Sequence, residues 1–344
     1  MVSSGLRWMF LILGTMIGAG YASGRELWVF FGQESTLAIV LFTIFFIICL
    51  YVVMTLSSKL GTQHYMPVLE QLMGKKVASI YDVMIFIYLY TTTIVMIAGG
   101  GAALEVLKIP YWYGVVIITV CLVLLFFSGD KGLVTMNMTA IPVLIVFLLW
   151  ILFKSVYGDS HVLIIDWQKQ SNWHASITFT SLNIVSLVAV IGGVGHEIKT
   201  KGEIWIATIG SGVVLGGVSF LYNQSLLQVA NVIPLYEIPL FALLKNYPFI
   251  MTIAMSGLLW VAIYTTAASG VFGLITRMKN RFKSPLWLLA LIMTLTMIPL
   301  TSFGFSPLVT TLYPIYGVLN LYFVASLLIY PLQHRVKRFK FKKD

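Results

Sequence analysis

Charged residues are scarce in this chain. Of its 344 residues, 22 are lysine or arginine and 12 are aspartate or glutamate, which is 10% in total. Soluble proteins of this size carry about 25% charged residues. Apolar residues make up 59% of the chain, and the mean hydropathy is +0.94. This composition excludes a soluble globular enzyme, a disordered chain and a secreted disulfide scaffold.

Several kinds of reactive motif are also missing. The two cysteines, Cys49 and Cys121, lie inside apolar runs and indicate neither a disulfide framework nor a metal site. The chain has no ATP-binding Gly-x-x-x-x-Gly-Lys-Ser/Thr loop and no His-x-x-x-His motif, and its apolar stretches hold almost no histidine or acidic residue. We therefore expect neither an enzyme nor a bound cofactor.

Long apolar runs dominate what is present. Nine stretches carry no Asp, Glu, Lys or Arg, and they cover residues 8–24, 35–58, 83–104, 109–129, 132–153, 170–196, 204–236, 246–276 and 284–334. The last has 51 residues, and one helix of that length would be about 75 Å long, more than twice the thickness of the bilayer core. It must fold back, and the turn-forming segment 301–307 supplies the place. The prediction is an all-α integral membrane protein with ten transmembrane helices.

The basic residues are distributed unevenly among the predicted loops. If the N-terminus is cytoplasmic, the inner segments hold 17 lysines and arginines and the outer segments hold 4. This asymmetry predicts a multi-pass membrane protein with both termini in the cytoplasm. It also accounts for the net charge of +10 without a nucleic-acid partner. Residues 335–344 form a predicted cytoplasmic basic tail that lies near anionic lipid.

A short internal repeat divides the chain. A shift of 174 positions places Ile17-Gly18 on Ile191-Gly192 and Tyr90-Thr91-Thr92 on Tyr264-Thr265-Thr266. Five spans are an odd number, so the second half would cross the membrane in the opposite direction, as in many secondary transporters. The predicted parts are a first repeat over 1–154, an external loop over 155–174 and a second repeat over 175–334.

Glycines concentrate at matching places in spans 1 and 6. Residues 14–24 hold four glycines, and residues 191–195 read Ile-Gly-Gly-Val-Gly. Each glycine weakens a helix by about 1 kcal/mol relative to alanine, and paired interruptions in corresponding spans indicate a substrate site. The alternative is close helix packing through Gly-x-x-x-Gly motifs. The repeat favours unwinding, so helices 1 and 6 are predicted to be interrupted.

Residues 11–20, Leu-Ile-Leu-Gly-Thr-Met-Ile-Gly-Ala-Gly, resemble the first helix of LeuT-type transporters and of the amino acid–polyamine–organocation superfamily. Residues 11–26 are most similar to the YkvI group of bacterial membrane proteins, and this resemblance extends over essentially the whole chain. It implies a LeuT-like fold, a location in the bacterial cell membrane and transport of a small organic solute, most simply an amino acid or a related compound. Spore-germinant receptor subunits of the same superfamily imply the alternative, an amino-acid-sensing receptor. Both a monomer and a homodimer remain open.

Residues 262–266, Ala-Ile-Tyr-Thr-Thr, resemble the sodium site of LeuT-type symporters. The resemblance implies Na⁺ as a coupling ion, held by the carbonyl oxygens of Gly14, Ile17 and Ala262 and by the hydroxyl groups of Thr265 and Thr266. Two alternatives stay open. The threonines can bond back to their own helix, and transport can be coupled to protons or uncoupled.

The same resemblance gives the remaining candidate residues. The backbone contacts to the substrate are Gly18, Ala19, Gly20, Tyr21, Gly192, Gly193 and Val194, and a tyrosine hydroxyl would come from Tyr88 or Tyr90 unless these rings only pack. The candidate gate residues are Arg25, Glu26, His196 and Glu197. Charges within a membrane are costly and often functional. Arg25 would close the outer path or reach the outer interface, and His196 and Glu197 would form an inner gate, relay protons, or lie at a solvated helix end.

Overall fold

A computed structural model describes residues 2–33, 35–127, 131–157, 170–245, 247–279 and 284–340. The described residues form α-helices and short 3₁₀ turns and contain no β-strand, which confirms the predicted all-α fold. The helices are α1 Val2–Met16, α2 Ala19–Ala22, α3 Arg25–Phe31, α4 Thr36–Leu60, α5 Met66–Glu105, α6 Tyr111–Leu125, α7 Lys131–Tyr157, α8 Ala175–Val194, α9 Lys201–Gln228, α10 Leu240–Leu243, α11 Phe249–Lys279, α12 Leu286–Met297, α13 Phe305–Leu319 and α14 Leu321–Lys340.

Several of these helices can cross a bilayer. Within the described residues, six helical segments are long and apolar enough, and α13 with α14, bent by 41°, would make a seventh. The last apolar stretch is interrupted at Gly304, whose φ of 82° ends one helical segment before α13 begins, within the predicted turn over 301–307; that the chain folds back there stays a prediction. The chain is therefore a multi-pass membrane protein. The count of ten spans stays a prediction. Helices α1 and α6 and the apolar segment Pro142–Val156 of α7 are each shorter than the 18 residues taken as the minimum for a span.

Span 1 is broken twice. Helix α1 ends at Met16, residues 17–18 are not helical, and α2 is followed by a second break at residues 23–24 before α3 begins. Gly24 has a φ of +79°, a conformation that other residues rarely adopt. A Cβ atom at Gly24 would also lie 2.6 Å from the Tyr222 ring. The predicted interruption of helix 1 is confirmed.

Span 6 is not broken, so the predicted interruption of helix 6 is wrong. Helix α8 continues through Gly192 and Gly193 to Val194 and then ends in a 3₁₀ turn. A Cβ atom at Gly192 would lie 2.6 Å from the Cα atom of Tyr65. The glycines therefore allow the segment between α4 and α5 to approach the helix closely, which is the packing alternative stated above.

The helix packing has a symmetric pattern. The most extensive contacts join α5 to α11, α1 to α9 and α4 to α8. Spans 1, 2 and 3 contain α1, α4 and α5, and spans 6, 7 and 8 contain α8, α9 and α11. If the first three spans are exchanged with the second three, the same set of contacts results, as an internal two-fold relation requires. The repeat boundaries stay a prediction. Most of the predicted external loop, residues 158–169, and tail residues 341–344 lie outside the described residues, and α14 continues into the predicted tail as far as Lys340.

Candidate substrate and ion site

A cavity lies where the broken span 1 meets α5, α8, α11 and α13. Its volume is about 40 Å³, which is space for about three water molecules, so the cavity is narrow in this conformation. Hydroxyl, amide and aromatic groups line much of it. The lining residues are Thr15, Met16, Gly18, Gly20, Glu26, Tyr88, Leu89, Thr92, Thr93, Met96, Leu182, Asn183, Ser186, Val190, Thr266, Ser269, Gly270 and Tyr313. The break in span 1 therefore opens onto a shared cavity whose largely apolar wall carries several polar groups.

Two glycines of span 1 permit close contacts around this cavity. A Cβ atom at Gly18 would lie 2.6 Å from Oγ1 of Thr266 on α11. A Cβ atom at Gly20 would lie 2.5 Å from Oε2 of Glu26 and 3.0 Å from the ring of Tyr313. Both glycines were predicted substrate contacts, and the structure places both in the wall. The predicted contact Ala19 lies between them on α2, and its side chain lies outside what the structure describes.

Glu26 lies in the cavity wall, although the sequence suggested a gate residue. Its side chain is only 4% exposed. The Asn183 amide on α8 interacts with its carboxyl group, and the rings of Tyr88 and Tyr313 lie within range of its charge. Within the described residues, its Oε1 atom has no hydrogen-bond partner. The cavity thus contains a buried carboxyl group with an open acceptor position.

The three predicted tyrosines lie in different places. Tyr88 lines the cavity, donates a hydrogen bond to the Leu182 carbonyl at 2.9 Å and lies 2.7 Å from the Ser186 hydroxyl. The Tyr90 hydroxyl donates instead to Thr296 on α12, 2.9 Å away. The Tyr21 ring is directed at α9. Its hydroxyl group donates to a main-chain carbonyl there at 2.6 Å. Of the three side chains, only that of Tyr88 lines the cavity.

Of the proposed sodium ligands on α11, Thr266 reaches the last turn of α1. The Thr266 hydroxyl donates to the Gly14 carbonyl at 2.9 Å, and the Thr265 hydroxyl donates to the Ala262 carbonyl at 3.0 Å. Ile17 lies in the first break of span 1, one turn beyond Gly14. Thr265 thus bonds back to its own helix, which was the alternative, whereas Thr266 joins two helices. Each hydroxyl is paired with a carbonyl oxygen of the same ligand set.

Arg25 ties span 1 to the outer segment between α9 and α11. Its guanidinium group donates to the carbonyl oxygens of Tyr236 and of Glu237, the latter at 3.3 and 3.4 Å. The Leu240 amide donates in return to the Ser23 carbonyl at 2.9 Å. Arg25 is therefore directed away from the cavity, at the end of the helices predicted to be external.

His196 and Glu197 lie at the opposite end and do not line the cavity. Glu197 accepts a hydrogen bond from Arg7 at 2.8 Å, in an ion pair whose side chains are 36% and 38% exposed. The His196 amide donates to the Thr62 carbonyl at 3.0 Å. A second ion pair nearby joins Arg277 to Asp82. These contacts connect helix ends on the side predicted to be cytoplasmic.

The wall that α8 contributes differs from the prediction. Gly192, Gly193 and Val194 do not line the cavity, and the lining positions of α8 are Leu182, Asn183, Ser186 and Val190. The continuous helix explains this correction, because residues 192–194 lie beyond the cavity, against the α4–α5 segment and α11. The i, i+3 and i+7 spacing of Asn183, Ser186 and Val190 marks one helix face and was available in the sequence.

Two relatives in Bacillus subtilis (strain 168) match nearly the whole chain, whereas no protein-family model matches it. The uncharacterized protein YyaD is 49% identical over 334 residues, which is 97% of this chain and 99% of YyaD. The uncharacterized membrane protein YkvI is 25% identical over 334 residues, which is 93% of this chain and 94% of YkvI.

Three solved structures with a similar fold are those of transporters. MhsT in complex with L-phenylalanine has a TM-score of 0.71 at 15% identity, covering 93% of this chain and 88% of MhsT. A Na⁺-coupled sialic acid symporter has a TM-score of 0.65 at 11% identity, covering 92% and 74%. A manganese transporter of Eremococcus coleocola has a TM-score of 0.64 at 16% identity, covering 95% and 78%. Together with the sequence relatives, they show that the chain belongs to the family of YyaD and YkvI and has the LeuT-like transporter fold.

Proposed function

We propose that this protein is a Na⁺-coupled secondary transporter of a small organic solute, an amino acid or a related compound, working by alternating access. The cavity at the break of span 1 carries the proposal. A break in a membrane-spanning helix frees backbone N–H and C=O groups, which are tolerated only where they line a cavity or meet a ligand. Here the break lies beside hydroxyl and amide groups of four other helices and beside the Glu26 carboxyl group of span 1 itself.

The arrangement at the end of α1 supports sodium as the coupling ion. Carbonyl groups at a helix C-terminus carry partial negative charge, and carbonyls of interrupted helices hold Na⁺ in transporters. Gly14, Ile17 and Ala262 would supply carbonyl oxygens, and Thr265 and Thr266 would supply hydroxyl oxygens. The two short hydroxyl–carbonyl contacts show that four of these five oxygens already lie in pairs. Rotation of each O–H bond would direct both oxygens of a pair at one cation.

The residues described around the cavity favour an organic solute over a metal ion. L-phenylalanine and sialic acid are named for two of them, and manganese for the third. Mn²⁺ suits sites rich in carboxylate and carbonyl oxygens. Within the described residues, no three His, Cys, Asp or Glu side chains cluster so as to hold a metal ion. The sensing-receptor alternative gains no support from these neighbours.

Uptake by the full chain in proteoliposomes tests the proposal. We expect an inward Na⁺ gradient to stimulate amino-acid uptake relative to a K⁺ gradient of equal size, and counterflow to occur with substrate on both sides. Thr265→Ala combined with Thr266→Ala should remove the stimulation. Equal uptake with and without Na⁺ would contradict sodium coupling. Saturable binding of an amino acid with no counterflow would contradict transport and favour a receptor.

A further inference from the structure

The cavity holds a single formally charged side chain among its described lining residues, Glu26. Its neighbour Arg25 points away from the cavity and donates to main-chain carbonyls of the outer segment, so it does not neutralise the carboxylate. An ionisable side chain within a membrane helix bundle is costly and usually functional. An ionised Glu26 therefore needs a cationic partner from the ligand.

The surroundings of the carboxyl group leave one oxygen open. Oε2 lies beside Gly20, where any side chain would collide with it, and the Asn183 amide interacts with the group. Oε1 is buried and has no hydrogen-bond partner within the described residues. Buried polar atoms are nearly always hydrogen-bonded, so an exception at a cavity wall calls for a donor from the ligand.

The groups that line the cavity indicate which class of hydrogen-bond donor the ligand carries. A carboxylate only accepts hydrogen bonds and forms its strongest ones with cationic N–H groups. The rings of Tyr88 and Tyr313 line the same cavity, and aromatic rings attract cations. A divalent metal ion would need more acidic or imidazole groups than the described wall supplies.

We infer that Glu26 binds the ammonium group of the transported solute, so that the substrates are compounds with a free amino group. The inference rests on the proposed function in taking this cavity as the transport site. Lysine, arginine and histidine are absent from the described lining residues, so a substrate carboxylate has no ion-pair partner among these side chains. Amines that lack a carboxylate are therefore substrates of the same site.

A set of matched compounds tests this without any variant. Thermal unfolding of the purified full chain would be measured with L-alanine, L-leucine and L-phenylalanine, and with ethylamine, isoamylamine and phenethylamine. The N-acetylated amino acids and the acids without the amino group complete the set. A ligand stabilises the state that it binds. We expect at least one amino acid and its matching amine to raise the unfolding temperature, and the compounds without an ammonium group to leave it unchanged. Stabilisation by the N-acetylated or amine-free compounds, or by none of the compounds, overturns the inference.

Variants assign the effect to Glu26. Glu26→Gln keeps the shape and removes the charge, and it should weaken amine binding about tenfold or more. Glu70→Gln removes an exposed carboxylate of α5 and should leave amine binding unchanged. Unchanged amine binding in Glu26→Gln would overturn the inference. So would loss of only the pH dependence of uptake with the amine preference intact, because that result assigns a proton to Glu26.

The outcomes also separate this inference from the proposed function. If Na⁺-stimulated uptake depends on Thr266 but is unchanged in Glu26→Gln, the proposed transport function is supported and the inferred ammonium site is refuted. Amine binding that depends on Glu26 without uptake or counterflow would leave the ammonium site standing and remove the transporter.

Discussion

The hydroxyl group of Thr266 donates a hydrogen bond to the carbonyl oxygen of Gly14, 2.9 Å away, and so joins the middle of α11 to the last turn of α1. A Cβ atom at Gly18, at the adjacent break, would lie 2.6 Å from the same hydroxyl oxygen. One side chain thus contacts both the end of α1 and the break that follows it. An ion bound between Thr266 and Gly14 would affect the geometry of the break directly.

Replacing this hydroxyl group should weaken sodium dependence. Thr266→Ala removes one proposed oxygen ligand, and we expect the Na⁺ concentration for half-maximal uptake to rise about tenfold, since hydrogen bonds and ligands to charged groups contribute about 1.5–3 kcal/mol. Thr276→Ala is the matched control, because Thr276 lies on the same helix and donates to the Phe272 carbonyl within it. An identical sodium dependence in both variants would remove Thr266 from the ion site.

The glycines of α8 give a prediction about stability. Gly192→Ala would force a Cβ atom to within 2.6 Å of the Tyr65 backbone, and overpacking of this kind costs about 1–3 kcal/mol. Gly217→Ala in α9 meets no atom within 4 Å and should be neutral or stabilising by up to about 1 kcal/mol. Thermal unfolding in detergent compares the two. A Gly192→Ala protein as stable as the Gly217→Ala protein would refute the packing role.

Arg25 gives a prediction about the outer segment. Arg25→Lys keeps the charge but loses the planar fork that reaches the carbonyl groups of two successive residues, so the segment should loosen. We expect faster hydrogen exchange at the Leu240 amide, which donates to the Ser23 carbonyl. The control is Lys245→Gln, an exposed position in the same segment. Unchanged exchange at Leu240 would show that Arg25 does not hold the segment.

His64, in the segment between α4 and α5, gives a pH prediction. Burial and the nearby Arg277 guanidinium lower the pKa of His64, so the folded state favours the neutral ring. The stability that this ring contributes is complete above its ordinary pKa of about 6.5 and is lost as the pH falls below that value. The unfolding temperature should therefore fall further between pH 7 and pH 5 in the wild type than in His64→Gln. His174→Gln, at an exposed position, should behave like the wild type, and a His64→Gln protein with the wild-type pH dependence would contradict the prediction.

The sequence predicted those features that depend on composition and on neighbouring residues. Long charge-free runs indicate membrane helices because hydrocarbon excludes unpaired backbone groups, and the cluster of glycines up to Gly24 correctly marked the breaks in span 1. The glycine at position 192, by contrast, led to the wrong prediction that helix 6 is interrupted. A glycine can serve either an irregular backbone or a close approach, and the deciding neighbour, Tyr65, is distant in sequence.

The site was predictable only in part, for geometric reasons. Tyr88 and Tyr90 are two positions apart on a helix, so their side chains differ in direction by about 200° and only one can face the cavity. Helix periodicity alone does not say which. The direction of Glu26 was not predictable at all, because it follows from the irregular backbone at residues 23–24, which no periodicity describes.

Span 1 is interrupted, whereas α8, the helix of span 6, is continuous. The breaks at residues 17–18 and 23–24 would allow the segments of span 1 to change orientation relative to one another, whereas the continuous α8 would move as one rigid helix. The short α3 follows the second break, at residues 23–24. Its Glu26 side chain lines the cavity, and its Arg25 side chain contacts the outer segment. A solute bound to the Glu26 carboxylate would therefore act on the same helical turn that carries Arg25, which would couple occupancy of the cavity to the outer segment.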